Sequence, residues 1–171
     1  MNIKNIQKLN KNIVLIYRNY KKKPNDQDVI KFKKYCKNNN VKFILSNYID
    51  IVKKHDLDGF YIPSFNTKKI YQIIKNKTNF IIMGSAHNLK QIRIKEKQGA
   101  QLIFLSPIFK NKNSNRPLGL CRYNLLSNLT KLPNIALGGI NKINSKLLKL
   151  SNSSGFAAIN YFKFQKNESN T

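Results

Sequence analysis

Arg18, the run Ser85-Ala86-His87-Asn88 and the run Gly138-Gly139-Ile140-Asn141 are the parts of this chain whose residue types suit chemistry. The two glycines follow an apolar run and precede an amphipathic one. Glycines in such a turn let backbone N–H groups approach a phosphate, and the N-terminus of the next helix adds a favourable dipole. A turn needs glycine in any case, so phosphate binding and plain turn geometry both stay open. His87 could serve as a general acid, a phosphate ligand or a helix cap. Arg18 is the first charged residue after the apolar run Ile13–Tyr17, a position that faces an anion rather than bulk solvent. His55, near a helix end, reads as solvated. Cys36 lies on an apolar stripe and reads as core. Cys121 has no histidine near it in sequence, which argues against a nucleophile. Asp50 and Asp58 sit on or beside helices, and no pair of carboxylates is placed for a divalent metal.

The elements that must position these residues are legible as alternating runs. Short apolar, β-branched or aromatic runs occur at Ile13–Tyr17, Val41–Leu45, Gly59–Ile62, Phe80–Met83, Leu102–Leu105, Ile135–Leu137 and Phe156–Ile159. Helix-like segments separate them: Asp26–Asn38 after a capping Asn25 or Asp26, with Val29, Ile30, Phe32, Lys33 and Cys36 around its stripe; Tyr48–His55; Thr67–Lys77; Asn88–Gln98, with Leu89, Ile92, Arg93 and Glu96, stopped by Gly99; Tyr123–Lys131; and Asn141–Leu150. Strands alternating with short helices predict βα units, a parallel sheet and either a (β/α) barrel or a doubly wound sheet. No G-x-G-x-x-G follows the first strand, so a dinucleotide-binding domain is not supported. Barrel active sites lie at the C-terminal ends of the strands. That rule selects Arg18 and Tyr20, Ser46 and Asn47, Pro63 to Asn66, Ser85 to Asn88, Ser106 to Asn115, Gly138 to Asn141, and Asn160.

Composition narrows the class. The chain has 171 residues, 32 Lys and Arg against 7 Asp and Glu, and a net charge of +25. The charge alone suggests nucleic acid. Its make-up argues otherwise: 28 of the basic residues are Lys and 4 are Arg, alongside 26 Asn and 22 Ile. This is the signature of A+T-rich coding sequence, and arginine, the usual partner of phosphate and guanine, is scarce. Nucleic acid is therefore not the expected main partner, though anionic small molecules would be drawn to the surface. No apolar run is long enough to span a membrane, no signal peptide is evident, and 2 Cys cannot build a disulfide scaffold. The expectation is a cytoplasmic protein with one domain over residues 1–164 and a disordered tail over 165–171.

The stretch SAHNLKQIRIKEKQGAQLIFLSPIFKNKNSNRPLGL, followed by LPNIALGGIN and GFAAINYF, resembles thiamine phosphate synthase and its thiazole-tautomerase relatives. The order and spacing of these motifs run over Phe80–Phe162, about half the chain. Weaker likenesses extend upstream: LDGFYIPS resembles A-D-G-V-H-L-G-Q, FILSNYIDIV resembles L-I-I-N-D-R-V-D-L-A, and IVLIYRNYK resembles the strand bearing Q-x-R-x-K. The resemblance implies a TIM-type (β/α)8 barrel, here lacking the first strand because about 12 residues precede IVLIY. Exposed strand edges would then favour a homo-oligomer. It also implies a reaction that joins a hydroxymethylpyrimidine diphosphate to a thiazole phosphate, with Mg²⁺ and cations on the leaving pyrophosphate. The implied catalytic residues are Arg18, on the arginine of Q-x-R-x-K, and Ser85 near the pyrimidine. Implied substrate-binding residues are His87, Asn111, Lys112 and Asn113 in the polar loop, Gly138 and Gly139 at the thiazole phosphate, and Asn160 at the last strand. The metal positions fall on Asn47 and Asn66, amides where the family has aspartates. Ile16 and Tyr20 replace the family's Gln and Lys, the loop lysine is missing with Lys110 and Lys112 nearby, and Pro107 stands where the tautomerases carry histidine. A catalytically degenerate member that only binds such ligands is the alternative reading.

Overall fold

In the computed structural model, seven parallel strands follow one another across a single sheet in chain order. The structure describes residues 13–68, 79–112, 114, 116–158 and 161. The strands are β1 (Val14–Tyr17), β2 (Lys42–Ser46), β3 (Gly59–Ile62), β4 (Ile81–Ala86), β5 (Leu102–Leu105), β6 (Asn134–Leu137) and β7 (Gly155–Ala157). The helices are α1 (Asp26–Asn38), α2 (Ile49–Lys54), α3 (Leu89–Lys97) and α4 (Gly119–Asn128), with a 3-10 helix at Ser145–Leu150. Parallel strands in unbroken chain order, without a reversal point, are the topology of a TIM-type barrel, not of a doubly wound sheet. Among the described residues, β1 and β7 are the ends of the sheet.

Alternation along each strand divides the core into layers. Ile16, Ile44, Tyr61, Met83, Phe104, Ile135, Leu137 and Ala157 come from all seven strands and pack together on the inner face. Their neighbours face the helices. Phe43, Leu45, Phe60 and Ile62 meet Val29, Phe32 and Cys36 of α1 and Ile51 and Val52 of α2. Ala86, Ile103, Leu105 and Ala136 meet Ile92 of α3 and Tyr123 and Leu126 of α4. Burying one such aliphatic or aromatic side chain contributes roughly 1.5–3 kcal/mol. Register is strictly held here, because a one-residue slip would exchange the two layers.

Local signals account for the first helices. Asn25 caps α1, its side chain accepting from Asp28 N at 2.7 Å, and Asp26 and Asp28 occupy the first turn. α1 buries Val29, Phe32 and Cys36 but leaves Ile30 outward. Asn88 caps α3 through Gln91 N at 3.0 Å, and Gly99 follows its end at φ +79°.

Several expectations need correction. α3 turns Ile92 and Lys95 inward, whereas Leu89 and Arg93 are exposed. The segment predicted over Tyr123–Lys131 forms instead as Gly119–Asn128, because Leu118 and Gly119 bond back to Pro107 and Ile108 carbonyls and start the helix early. The segment predicted over Asn141–Leu150 contains a 3-10 helix from Ser145, since Asn141 and Asn144 close a side-chain turn first. His55 is not solvated: its Nε2 lies 2.7 Å from Asp26 Oδ1, and its side chain is 11% exposed. Cys36 is core as expected, and burial, with a smaller effect of Asp58, pushes its thiol up to about 12. The helix expected at Thr67–Lys77, beyond Lys68, the end of the strand at Ile159, and the tail 165–171 lie outside the described residues.

Gly59 opens β3 where a Cβ would stand 2.3 Å from the Ile81 carbonyl oxygen and 2.5 Å from Ile44 Cδ1. A backbone oxygen on the neighbouring strand cannot yield without breaking the ladder. Gly59→Ala is expected to lower stability by roughly 1–3 kcal/mol, read as a lower urea midpoint.

Candidate functional site

The C-terminal ends of the strands gather the candidate residues along one rim. At β1, Arg18 lies just past the strand, with its guanidinium carbon 5.7 Å from the centre of the Tyr20 ring. Ser46 ends β2 and donates to Tyr20 Oη at 3.3 Å. Burial raises the Tyr20 hydroxyl above the ordinary tyrosine range, with Ser46 and Arg18 acting in the opposite direction. Tyr61 on β3 pairs with Ser46 across the ladder and points inward beside Phe104. Among the described residues its buried Oη has no hydrogen-bond partner. Burial raises it too, while Ser85 and Arg18 stand close enough to pull the other way. Arg18, Tyr20, Ser46, Tyr61 and Ser85 thus form one group, with a buried hydroxyl left for an incoming acceptor or donor.

His87 lies one residue past β4. Its Nδ1 sits 2.6 Å from the Ser106 carbonyl oxygen and 3.2 Å from Ser106 Oγ; its Nε2 sits 3.1 Å from Ser64 Oγ. A carbonyl only accepts, so Nδ1 carries the proton. In the neutral ring Nε2 is then the acceptor and Ser64 the donor. His87 therefore ties the loops after β3, β4 and β5 together. Ser64 was selected by the strand-end rule but carried no role in the sequence reading.

At the other end of the rim, the Gly138–Gly139 turn follows β6. Both residues have positive φ, +96° and +73°. A Cβ on Gly138 would meet Pro107 Cβ at 2.8 Å and Asn111 Nδ2 at 3.3 Å; one on Gly139 would meet the Phe109 and Lys110 carbonyl oxygens at 2.5 Å. The glycines therefore let the loop after β5 dock on the turn after β6. Phe109 N donates to Gly138 O at 3.0 Å, and Asn144 Nδ2 caps Gly139 O at 2.8 Å. This docking brings Asn111 against the Gly-Gly turn; Asn111 bridges to Ser114, and Lys112 is exposed. Asn113 and Asn160 lie outside the described residues.

Asn47 and Asn66 meet. Asn47, at φ +68°, accepts on Oδ1 from Asn66 Nδ2 at 3.1 Å, and Asn66 Oδ1 accepts from Lys68 N at 3.0 Å. The Asn66 backbone carbonyl is held from beneath by Lys95 Nζ at 2.5 Å and Gln98 Nε2 at 3.0 Å. Gln98 also takes a hydrogen bond from Lys95 at 2.8 Å and donates to Lys68 O at 2.7 Å. Lys95 is fully buried, and Gly84 makes the room: a Cβ there would lie 2.8 Å from Lys95 Cβ. Sequence reasoning missed this clamp. The available signal was spacing, since Lys95 stands three residues after Ile92 on the buried face.

These residues do not fit Mg²⁺. That ion wants an octahedron of oxygens with one or two carboxylates among them. Here the donors are two amides, and an Asn66 N–H occupies the Asn47 oxygen. Among the described residues no group of three or more His, Cys, Asp or Glu could hold a metal ion.

With that geometry in place, the comparisons with known proteins can be read. Residues 7–162 match the model of the thiamine monophosphate synthase family, TMP-TENI. The chain belongs to this family. It is 30% identical over 147 residues to a thiamine-phosphate synthase of Coprothermobacter proteolyticus, covering 82% of this chain and 67% of that one. It is 32% identical over 136 residues to a thiamine-phosphate synthase of Prochlorococcus marinus subsp. pastoris, covering 75% of this chain and 38% of that one. The solved thiamine phosphate pyrophosphorylase of Pyrococcus furiosus shares the fold, with a TM-score of 0.65 at 24% identity over 81% of this chain and 69% of that one.

Burial lowers the Lys95 ammonium from the ordinary lysine value of 10.5 to about 8. Below about pH 8 both folded and unfolded chains hold the proton, and the folded state bears the cost of a buried ammonium. Between about 8 and 10.5 the folded chain sheds the proton first, so stability rises with pH. Urea unfolding of the protein against Lys95→Met should show the wild type gaining relative stability across that window; a flat difference would mean the ammonium is not desolvated.

Proposed function

We propose that this protein is a thiamine phosphate synthase, joining a hydroxymethylpyrimidine diphosphate to a thiazole phosphate to give thiamine phosphate and pyrophosphate. The observation that carries the reading is the pairing of two anion-suited ends on one rim. Arg18 with Tyr61 and Ser85 stands at the early strands, and the Gly138–Gly139 turn with Asn111 stands at β5 and β6. Family membership supports the same assignment of ends.

In this reading the C–O bond to the diphosphate breaks and its electron pair leaves with pyrophosphate, next to Arg18. The pyrimidine methylene cation is then captured by the thiazole nitrogen, forming the C–N bond. Ser85 and the Tyr61 hydroxyl contact the pyrimidine end, His87 fixes the loops around it, and Asn111, Lys112, Asn113, Gly138, Gly139 and Asn160 take the thiazole phosphate. The work is positioning and charge stabilisation, with little proton transfer.

The same reading takes the barrel as one lacking its family's first strand, since β1 already bears the arginine of Q-x-R-x-K, and expects oligomerisation to cover the free sheet edge. It places the protein in the cytoplasm; among the described residues no helix is long and apolar enough to cross a membrane. A second reading, a member that binds these ligands without turnover, is favoured by the amide pair at Asn47 and Asn66.

Formation of thiamine phosphate from the two purified substrates tests the proposal. Product is expected, and Arg18→Ala should reduce kcat/KM on the order of a hundredfold. Saturable binding of substrates without product would select the second reading. Neither product nor binding would leave the fold alone.

A further inference from the structure

We infer that the diphosphate end of this rim binds its ligand without a divalent cation, side-chain cations supplying the charge. The inference rests on the reading of the Arg18 end as a diphosphate site.

The hydrogen-bond directions at Asn47 and Asn66 settle one another. Asn66 Oδ1 is fixed by the Lys68 N–H, so Asn66 must present its NH₂ to Asn47. Asn47 must answer with oxygen, because turning its amide over would set NH₂ against NH₂. Both amide oxygens are thereby engaged by N–H donors. A cation would find one lone pair of each oxygen already taken, and the ligands it gained would be neutral.

The charges around the pair point the same way. Lys95 Nζ binds the Asn66 carbonyl, with Gln98 Oε1 as its other partner. Arg18 rests on an aromatic face and has no carboxylate partner among the described residues. Asp26 pairs with Lys54 and His55, Asp58 accepts from Phe43 N, and Glu96 bonds Arg93 and Thr130. Asp50 is exposed in the first turn of α2. Among the described residues neither Arg18 nor Lys95 is in an ion pair, so a Mg²⁺ ion would approach these cations against repulsion, whereas a diphosphate would be drawn to them.

Calorimetric titration of the full-length protein with inorganic pyrophosphate tests this, once in EDTA and once in excess Mg²⁺ with free pyrophosphate corrected for its Mg²⁺ complex. The expected result is saturable binding in EDTA, within about threefold of that in Mg²⁺, and at least about tenfold weaker in Arg18→Ala. Binding that tightens about tenfold or more with Mg²⁺ would overturn the inference. No binding in either buffer would overturn it together with the diphosphate reading beneath it. Metal-free binding without thiamine phosphate synthesis would uphold it while removing the synthase reaction. As an independent readout, Mg²⁺ should raise the Tm of the double variant Asn47→Asp, Asn66→Asp and leave the wild-type Tm unchanged. An equal rise in the wild type would count against the inference.

Discussion

Everything at the rim depends on the side-chain alternation of seven parallel strands held in register. A strand offers every second residue to the interior, and the helices claim the others. Ile44, Tyr61, Met83 and Phe104 fill the inner layer. Two residues further along their strands, the same parity delivers Ser46, Pro63, Ser85 and Ser106 to the end of the barrel. Arg18 stands in the same relation to Ile16. The inner layer therefore does two jobs, filling the concave face of the curled sheet and setting the height of the groups above it. This constraint explains why Gly59 and Gly84 matter far from the site. Each allows a close approach between neighbouring elements that a Cβ would force apart.

The two ends of the rim are built by different means. At β5 and β6, backbone docks on backbone: the glycine turn accepts the loop Pro107–Asn111 at distances no other residue permits. At β2 and β3, side chains lock side chains. The Asn47–Asn66 pair is braced from below by Lys95 and Gln98, so that loop conformation and charge come from one cluster. A carboxylate pair in these positions would repel and would need a cation between its members. An amide pair bonds to itself, which makes the charge requirement of the site a different one.

His87 shows how much a single ring can coordinate. Through Ser64 and the Ser106 carbonyl it joins three successive strand-end loops. The sequence leaves general acid, phosphate ligand and helix cap open for it; its contacts show loop fixation, which is none of these. His55 was read as a solvated residue and is instead a tertiary link, pairing with Asp26 across the α1–α2 packing. A histidine's setting is decided by what packs over it, and its neighbours in sequence do not record that.

The sequence by itself determined the alternation of strands and helices, the parallel sheet, a cap at Asn25 or Asp26, and the strand ends from which candidate residues must come. These follow from local periodicity and capping, which act within a few residues. It also carried the family, through the motifs around Ser85, Pro107 and Gly138. Only the tertiary structure decided that Asn47 and Asn66 satisfy one another, that Lys95 is buried behind Gly84, and that α4 begins at Gly119. Each of these depends on a partner distant in sequence, Asn66 for both Asn47 and Lys95 and, for α4, the carbonyls of the docked loop before it. Whether a polar group faces water or a buried partner is set by such long-range packing, and no local pattern encodes it.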